Sequence, residues 1–352
     1  MEKIRFESWT EKATFHSPLN GMELTDSEVQ VRRDPLTGQT AVASEDLAKK
    51  AELFFGVTDW EHAEEIAQRT RADCFFCREA IAKGTPRYPD ELVPGGRLER
   101  GAALVFPNLF PLAALHAIAC WPDYHFLRPA QFTPELLEMG LGAAIEFAGR
   151  AEAHLADLRH VSICCNNLPP AGASVVHPHL QIYGGHTVPW LVETFWSASQ
   201  RFLERTGVSY WKALVEEEAE RGERFVAADS GVAWLVPFAP TGGREVLAVL
   251  PDREHLAQLD PDHVTALARG LSTVLAWYEA NGLSSFNFTL YSAPLDGRQA
   301  GFPIVLRIVA RAAFRADYRC DDYFLQRQLG SELVLDPPER MAAELRPLFA
   351  AH

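Results

Sequence analysis

The sequence is short of positive charge. Its 352 residues hold 33 Lys and Arg against 47 Asp and Glu, a formal net charge of −14. A surface of that sign repels a phosphate backbone, so nucleic acid is not an expected partner. An anionic small substrate would need locally clustered cations. Long apolar runs are also missing. The longest uncharged stretch, 101–122, is broken by Pro107, Asn108, Pro111 and His116. It reads as two buried strands and a loop, not as a membrane span. The opening residues Met1 to Glu7 carry no apolar segment of the kind a secretory signal needs. Cysteine is scarce too. The six present include one adjacent pair and one C-x-x-C, which is no secreted disulfide framework. A cytoplasmic protein with no membrane partner is therefore expected. A hydrophobic fraction of 47% with 23% charged residues suits one large or two smaller soluble domains with ample core.

The patterning is α+β. Residues 1 to 70 read as mixed and polar, with a helical patch over 44–55. A long helix is expected over 134–158, with Thr133 as N-cap and Leu137, Leu141, Ile145 and Ala148 on one face. Strands are expected on both sides of it, over 102–106, 117–121, 161–165 and 175–183. The same order recurs downstream. Strands over 233–237 and 246–250 precede a helix opened by Asp260, Pro261 and Asp262, and strands over 286–291 and 304–309 close the unit. The spacing of the two copies, roughly 130 residues, marks duplication of one unit, an antiparallel sheet with a long helix. An acidic helical linker over 190–224 joins an N-terminal unit, 1–189, to a degenerate C-terminal unit, 190–352. Asp336-Pro337-Pro338-Glu339 reads as a helix start with a capping-box Glu.

The chemistry concentrates in Val175-Val176-His177-Pro178-His179-Leu180-Gln181. As a β-strand, this segment would point His177, His179 and Gln181 to one face. Burying three such groups requires hydrogen-bond partners or a metal. Cys74 and Cys77 have the spacing that chelates one Zn²⁺, a spacing shared with redox pairs. His125 and His177 are candidates for the two further ligands of a closed tetrahedral site. Cys120, Cys164, Cys165 and Cys320 read as buried or incidental. A neutral imidazole is a good nucleophile toward phosphorus when its other ring nitrogen is oriented and donors surround the phosphoryl oxygens. Gln181 offers such a donor. The preceding loop, Asn166 to Ser174, offers small residues, backbone N–H groups and a hydroxyl.

These residues resemble the galactose-1-phosphate uridylyltransferase-type family, nucleotidyltransferases of the histidine-triad superfamily. Arg32-Arg33-Asp34-Pro35-Leu36-Thr37-Gly38 resembles the family's R-x-(N/D)-P-L-T-G. Cys74-Phe75-Phe76-Cys77 resembles its first zinc pair, Phe106 to Pro111 its F-x-N-x-F segment, and Pro122-Asp123-Tyr124-His125 its S-P-D-H turn. Asn166 through Gln181 matches N-x-G-A-A-x-G-x-S-x-x-H-P-H-x-Q in spacing. The resemblance implies duplicated histidine-triad-like units, the second degenerate. It implies zinc on Cys74, Cys77, His125 and His177, and His179 as a nucleophile that carries the nucleotidyl group. Gln181 and Ser174 would sit on the α-phosphate, Asn108 on ribose, and Asn166 and Gly172 along the phosphate loop. The implied reaction is ping-pong transfer of a nucleoside monophosphate from a nucleotide-sugar to a sugar 1-phosphate, in a homodimer.

The sequence departs from the family at several points. Tyr124 is an extra residue in the zinc turn, and Leu109 stands where uridylyltransferases have a ribose-binding aspartate. Lys49 and Lys50 replace two expected arginines as the available cations. A further metal site found in many members would fall at Tyr291, Leu306 and Ile308, and is expected to be absent. The sugar-recognition segment matches poorly around Asp321 to Gln328. Two alternatives therefore stand beside the transferase. One is a phosphorylase of a nucleotide-sugar or dinucleoside polyphosphate, with phosphate as acceptor. The other is a non-catalytic, zinc-stabilised nucleotide-binding protein.

Overall fold

Two long helices lie side by side across one face of a wide antiparallel sheet, and the functional residues occupy its other face. The computed structural model describes residues 4–48, 56–298 and 301–351. The chain opens with strands β1 (Glu7–Ser17), β2 (Glu23–Arg33) and β3 (Thr40–Ala43), then helices α1 (Trp60–Arg71) and α2 (Arg78–Gly84). The first unit follows as β4 (Leu98–Arg100), β5 (Ala103–Pro107), β6 (Leu115–Cys120), α3 (Pro134–His154), β7 (His160–Asn167) and β8 (His179–Gly185). Helices α4 (Trp190–Thr206) and α5 (Tyr210–Arg221) lead to the second unit. That unit comprises β9 (Phe225–Asp229), β10 (Val232–Leu235), β11 (Val246–Leu250), α6 (Pro261–Ala280), β12 (Phe286–Tyr291) and β13 (Ile304–Ala310). Strand β14 (Ser331–Val334) and helix α7 (Pro338–Phe349) complete the chain.

The main sheet has the order β4-β5-β6-β8-β7-β12-β13-β11-β10-β9, so the two copies meet at the antiparallel β7–β12 seam. Period-2 alternation sends Ala117, Leu180, Ile163, Leu290, Leu306 and Ile308 into the core beneath the helices. Helix α3 starts as expected, with Thr133 Oγ1 accepting from the Leu136 N–H, but ends at His154, short of Leu158. Leu155 leaves the helical region there at φ −102° and ψ 90°. Helix α6 is capped by Asp260, whose side chain accepts from the His263 N–H.

Both helices come close to the sheet through glycine. A Cβ on Gly140 would sit 2.2 Å from Trp121, and one on Gly270 would sit 2.2 Å from Trp234. Both tryptophans are fully buried. Gly270→Ala therefore has no room without moving the helix. It is expected to destabilise the chain by about 1–3 kcal/mol, despite alanine's better helix propensity. Urea denaturation reads this directly, and an unchanged midpoint would refute the packing.

The N-terminal stretch, read from the sequence only as mixed and polar, holds three strands. Strands β1 and β2 form a hairpin of 11 residues each, exposed along nearly all of β1. A solvated ribbon lacks the apolar alternation that makes a strand legible. Of the helical patch over 44–55, Glu45–Ala48 is helical, and 49–55 lies outside the described residues. The expected box at the last helix is also replaced. Pro337 is the N-cap of α7, while Asp336 and Glu339 bind arginines. Asp336 pairs with Arg244 at 2.7 Å, and Glu339 with Arg32 at 2.8 Å and Arg224 at 3.0 Å. Buried guanidinium groups demand carboxylates more strongly than a helix end demands a cap. Among the described residues, no helix is long and apolar enough to cross a membrane.

Candidate active site and metal centre

Cys74, Cys77, His125 and His177 converge, with one ligand atom from each lying within 4.8 Å of all the others. The turn after α1 makes this possible. Cys77 is the N-cap of α2, and its N–H donates to the Cys74 carbonyl at 3.3 Å. The Arg78 N–H donates to the Pro122 carbonyl at 3.0 Å, and Arg78 pairs with Asp123 at 2.7 Å. These contacts bring the His125 turn onto the cysteines, and Tyr124 is accommodated by a turn closed by its own N–H on the Trp121 carbonyl. His125 Nδ1 lies 3.2 Å from Cys77 Sγ, and His177 Nδ1 lies 3.5 Å from Cys74 Sγ. The outer nitrogens are both engaged. His177 Nε2 reaches the Trp121 carbonyl at 3.1 Å, and His125 Nε2 reaches Thr70 Oγ1 at 3.1 Å.

This donor set fits zinc. Both imidazoles aim Nδ1 inward while outer oxygens hold Nε2, the arrangement that fixes a ligating tautomer. Burial lowers the pKa of His125, and that of His177 to about 3, so both rings are in the neutral, ligating form. Burial also pushes the Cys77 thiol up to about 12, so its thiolate needs a cation beside it.

Strand β8 begins at His179, which corrects the expectation of one strand carrying all three polar groups. His177 lies in the bend before it. Pro178 carries no N–H for a ladder, and the chain turns there, so His177 points to the cysteines and His179 opens the strand. His179 is opposite Cys120 and Gln181 opposite Ile118, and both look away from the helices. His179 is buried, with the Phe76 ring edge-on at 5.5 Å. Its Nδ1 donates to the His177 carbonyl at 2.9 Å, which leaves Nε2 without a protein partner among the described residues. Burial lowers its pKa, favouring the neutral ring.

His116 on β6 completes this face and was not among the sequence candidates. The Leu112 N–H donates to His116 Nδ1 at 3.1 Å, so the ring's proton sits on Nε2. Nε2 then donates to Gln181 Oε1 at 2.9 Å, and the Gln181 amide nitrogen is left to face the site as a donor. Asn108 Nδ2 approaches the same His116 nitrogen at 3.2 Å, and with two donors facing each other we read this as a contact. A signal existed in the sequence. His116 is a lone polar residue in an otherwise apolar strand, and a buried imidazole there needs a partner.

The loop after β7 carries Asn166, Gly172 and Ser174. A 3-10 turn over Pro169–Ala171 ends at Gly172, whose φ of +85° favours glycine. Leu168 has φ +68°, held by burial with Ala63, Ala67, Val176 and Phe314. Gly172 and Ser174 are exposed, and Asn166 is half-buried. Lys49 and Lys50 lie outside the described residues. Leu306 and Ile308 point under the helices, whereas Tyr291 is opposite Val305 on the other face. Those three positions therefore do not converge, because the H-x-H register falls on the core side of β13.

The site face continues into the second unit. Gln181, Cys164, Thr289 and Arg307 form one cross-strand row. Beyond it, about 14 Å from β8 at ordinary strand spacing, lies a cavity of about 670 Å³ lined by Arg307, Arg311, Asp321, Gln326 and Glu332. Its arginines are matched by carboxylates, Arg307 with Glu245 at 2.6 Å and Arg311 with Asp321 at 2.6 Å. Burial pushes the Glu332 carboxyl up to about 7, against the lowering effect of hydrogen bonds from Gln326 and the Leu333 N–H. A carboxyl with a raised folded pKa stabilises the fold below its unfolded value and loses that contribution as pH rises through the folded one. Glu332→Gln is therefore expected to match wild type near pH 4.5 and to exceed its stability at pH 8 by up to about 3 kcal/mol. Denaturation at the two pH values reads the difference, and parallel curves would refute the assignment.

No family model matches the chain. An uncharacterized protein of Archaeoglobus fulgidus is 29% identical over 333 residues, 94% of this chain and 96% of that protein. An ADP-glucose phosphorylase of Arabidopsis thaliana, solved with bound ADP-glucose, superposes with a TM-score of 0.68 at 19% identity, covering 90% of this chain and 98% of its own. A GalT-like protein of the same plant gives a TM-score of 0.67 at 19% identity, with coverage of 90% and 98%. A uridylyltransferase mutant gives 0.65 at 19% identity, with coverage of 91% and 98%. The likeness spans both units and the seam between them, and the chain accordingly has the galactose-1-phosphate uridylyltransferase-type fold that its motifs resemble.

Proposed function

We propose that this chain is a nucleotidyltransferase that moves a nucleoside monophosphate from a nucleotide-sugar to a phosphate acceptor through His179. The orientation of His179 carries this reading: Nδ1 is anchored on the His177 carbonyl and Nε2 is left free beside the Gln181 amide. In the first step Nε2 attacks the α-phosphorus and forms a P–N bond. The P–O bond to the sugar phosphate breaks, and the sugar 1-phosphate leaves with the electron pair. The ring becomes cationic, and the His177 carbonyl dipole facing Nδ1–H stabilises it. Gln181 and the Asn166–Ser174 loop donate to the phosphoryl oxygens, and Asn108 stands near the ribose. In the second step an acceptor phosphate oxygen attacks phosphorus and the P–N bond breaks, restoring neutral His179. A zinc ion held by Cys74, Cys77, His125 and His177 would supply structure, because four protein ligands close its coordination. Residues 1–189 carry this chemistry, and 190–352 supply the continued site face.

A sugar 1-phosphate acceptor makes the protein a hexose-1-phosphate uridylyltransferase-like enzyme. Inorganic phosphate makes it a phosphorylase. The likeness to the ADP-glucose phosphorylase favours keeping the second reading. Intact-mass measurement after mixing with ADP-glucose or UDP-glucose tests the proposal. A mass gain of one nucleoside monophosphate is expected with one of them, and no gain with either sinks the nucleophile role.

A further inference from the structure

Asn287 on β12 stands opposite Asn166 on β7, across the seam between the two units. Its Nδ2 donates to Asn166 Oδ1 at 2.7 Å and to the Ala171 carbonyl at 2.8 Å, so one side chain ties two points of the phosphate loop. Its Oδ1 accepts from Arg311 Nη1 at 2.8 Å. Arg311 is itself fixed by two bonds to Asp321, at 2.9 and 2.6 Å, and Asp321 also accepts from the Ala312 N–H at 2.9 Å.

The chemistry of these groups leaves one arrangement. A guanidinium only donates and a peptide carbonyl only accepts, so the Asn287 amide cannot be turned over. Both of its N–H bonds are used, one of them on Asn166. Asn166 must then present oxygen to Asn287 and nitrogen to the site. That nitrogen has no protein partner among the described residues. It lies on the sheet face of Gln181, whose amide His116 orients as a donor in the same way.

We propose that Asn287 and Arg311 are positioning residues. They hold Asn166 as a donor toward an oxygen of the substrate and keep the 166–174 loop in its bound shape. The degenerate unit thus sets the polarity of the site. This inference rests on the nucleophile reading only for its kinetic consequence.

Asn287→Asp tests it. The introduced carboxylate is nearly isosteric and pairs with Arg311, so the fold keeps its packing. It donates to nothing, and the oxygen that replaces Nδ2 faces Asn166 Oδ1 and the Ala171 carbonyl. The Asn166 amide then turns over to donate outward, and the site loses its donor. The saturating rate of His179 labelling, measured with whichever of ADP-glucose or UDP-glucose labels wild type, is expected to fall about 30-fold or more. Zinc content and the β12 and β13 amides should be unaffected. Hydrogen exchange at the Ala171, Gly172 and Ala173 amides, which bond within the loop, should accelerate at least about tenfold. In Arg311→Lys both readouts should move the same way by less, because an ammonium lacks the planar fork that serves Asn287 and Asp321 together. That variant also serves should Asn287→Asp fail to fold. Labelling at the wild-type rate, or unchanged loop exchange, overturns the proposal. If neither sugar labels wild type, the nucleophile reading fails while loop exchange still decides this one.

Discussion

His179→Ala is expected to keep its unmodified mass under conditions in which wild type gains one nucleoside monophosphate, with turnover lower by about 10³-fold or more. The size follows from what the ring supplies. In the proposed reaction it is nucleophile, carrier of the intermediate and leaving group, and among the described residues the neighbouring His116 has both ring nitrogens engaged, by the Leu112 N–H and by Gln181. His179 faces Phe76, Cys120 and the backbone of its own bend. The loss should be chemical and not structural. The side chain's one hydrogen bond goes to a carbonyl two residues away, so the variant should melt close to wild type. The labelled wild-type protein then reports its acceptor. Discharge by glucose 1-phosphate or galactose 1-phosphate marks a transferase, and discharge by inorganic phosphate marks a phosphorylase. Equal labelling of wild type and His179→Ala would place the nucleophile elsewhere.

Metal analysis is expected to find about one zinc per chain, and Cys77→Ser is expected to bind it far more weakly. The four candidate ligands come from the turn after α1, the turn after β6 and the bend before β8, so one ion on them would tie the three segments together. Structural zinc supplies about 10–16 kcal/mol in small finger peptides. Here the main core lies between the sheet and the long helices, away from Cys74 and Cys77, so a smaller loss of about 3–5 kcal/mol is expected, with local opening around residues 73–78 and 122–126. The consequence for chemistry should be larger. His177 hands its backbone carbonyl to His179, so freeing His177 frees the ring proposed to attack phosphorus. Labelling should fall in Cys77→Ser even though no group near the phosphate has changed. A chain that is folded, metal-free and fully active would contradict both the ligand set and this coupling.

Much of the fold is legible because buried strands and helices carry strong periodicity. Strands β11 and β12 have their expected bounds, β13 falls within one residue of its own, and α6 opens at Asp260 as expected. Their alternation, aliphatic toward the helices, is what burial on one face imposes. Strand β1 escaped because solvent on both sides removes that alternation, and β2 because its half-covered face carries Thr25 and Ser27 beside Val29 and Val31. The last helix was found, but its cap was misjudged. Asp336 and Glu339 look like capping residues until the buried Arg224 and the half-buried Arg32 and Arg244 are placed beside them.

At the site, local spacing determined the inventory: the C-x-x-C, the zinc turn, the Gly-bearing loop and H-P-H-x-Q. Each is a short-range device, with ligand or donor types at distances the backbone can serve within a few residues. Direction was decided by tertiary structure. His177 and His179 point to different groups because the chain bends at Pro178 and the Cys74–Cys77 turn lies on one side only. Gln181 faces the site as a donor because His116 comes from another strand. Asn166 does so because Asn287 and Arg311 come from the other unit, more than a hundred residues away in the chain. An amide has no preferred polarity of its own, and the partner that sets it is brought by the sheet, not by neighbours in sequence.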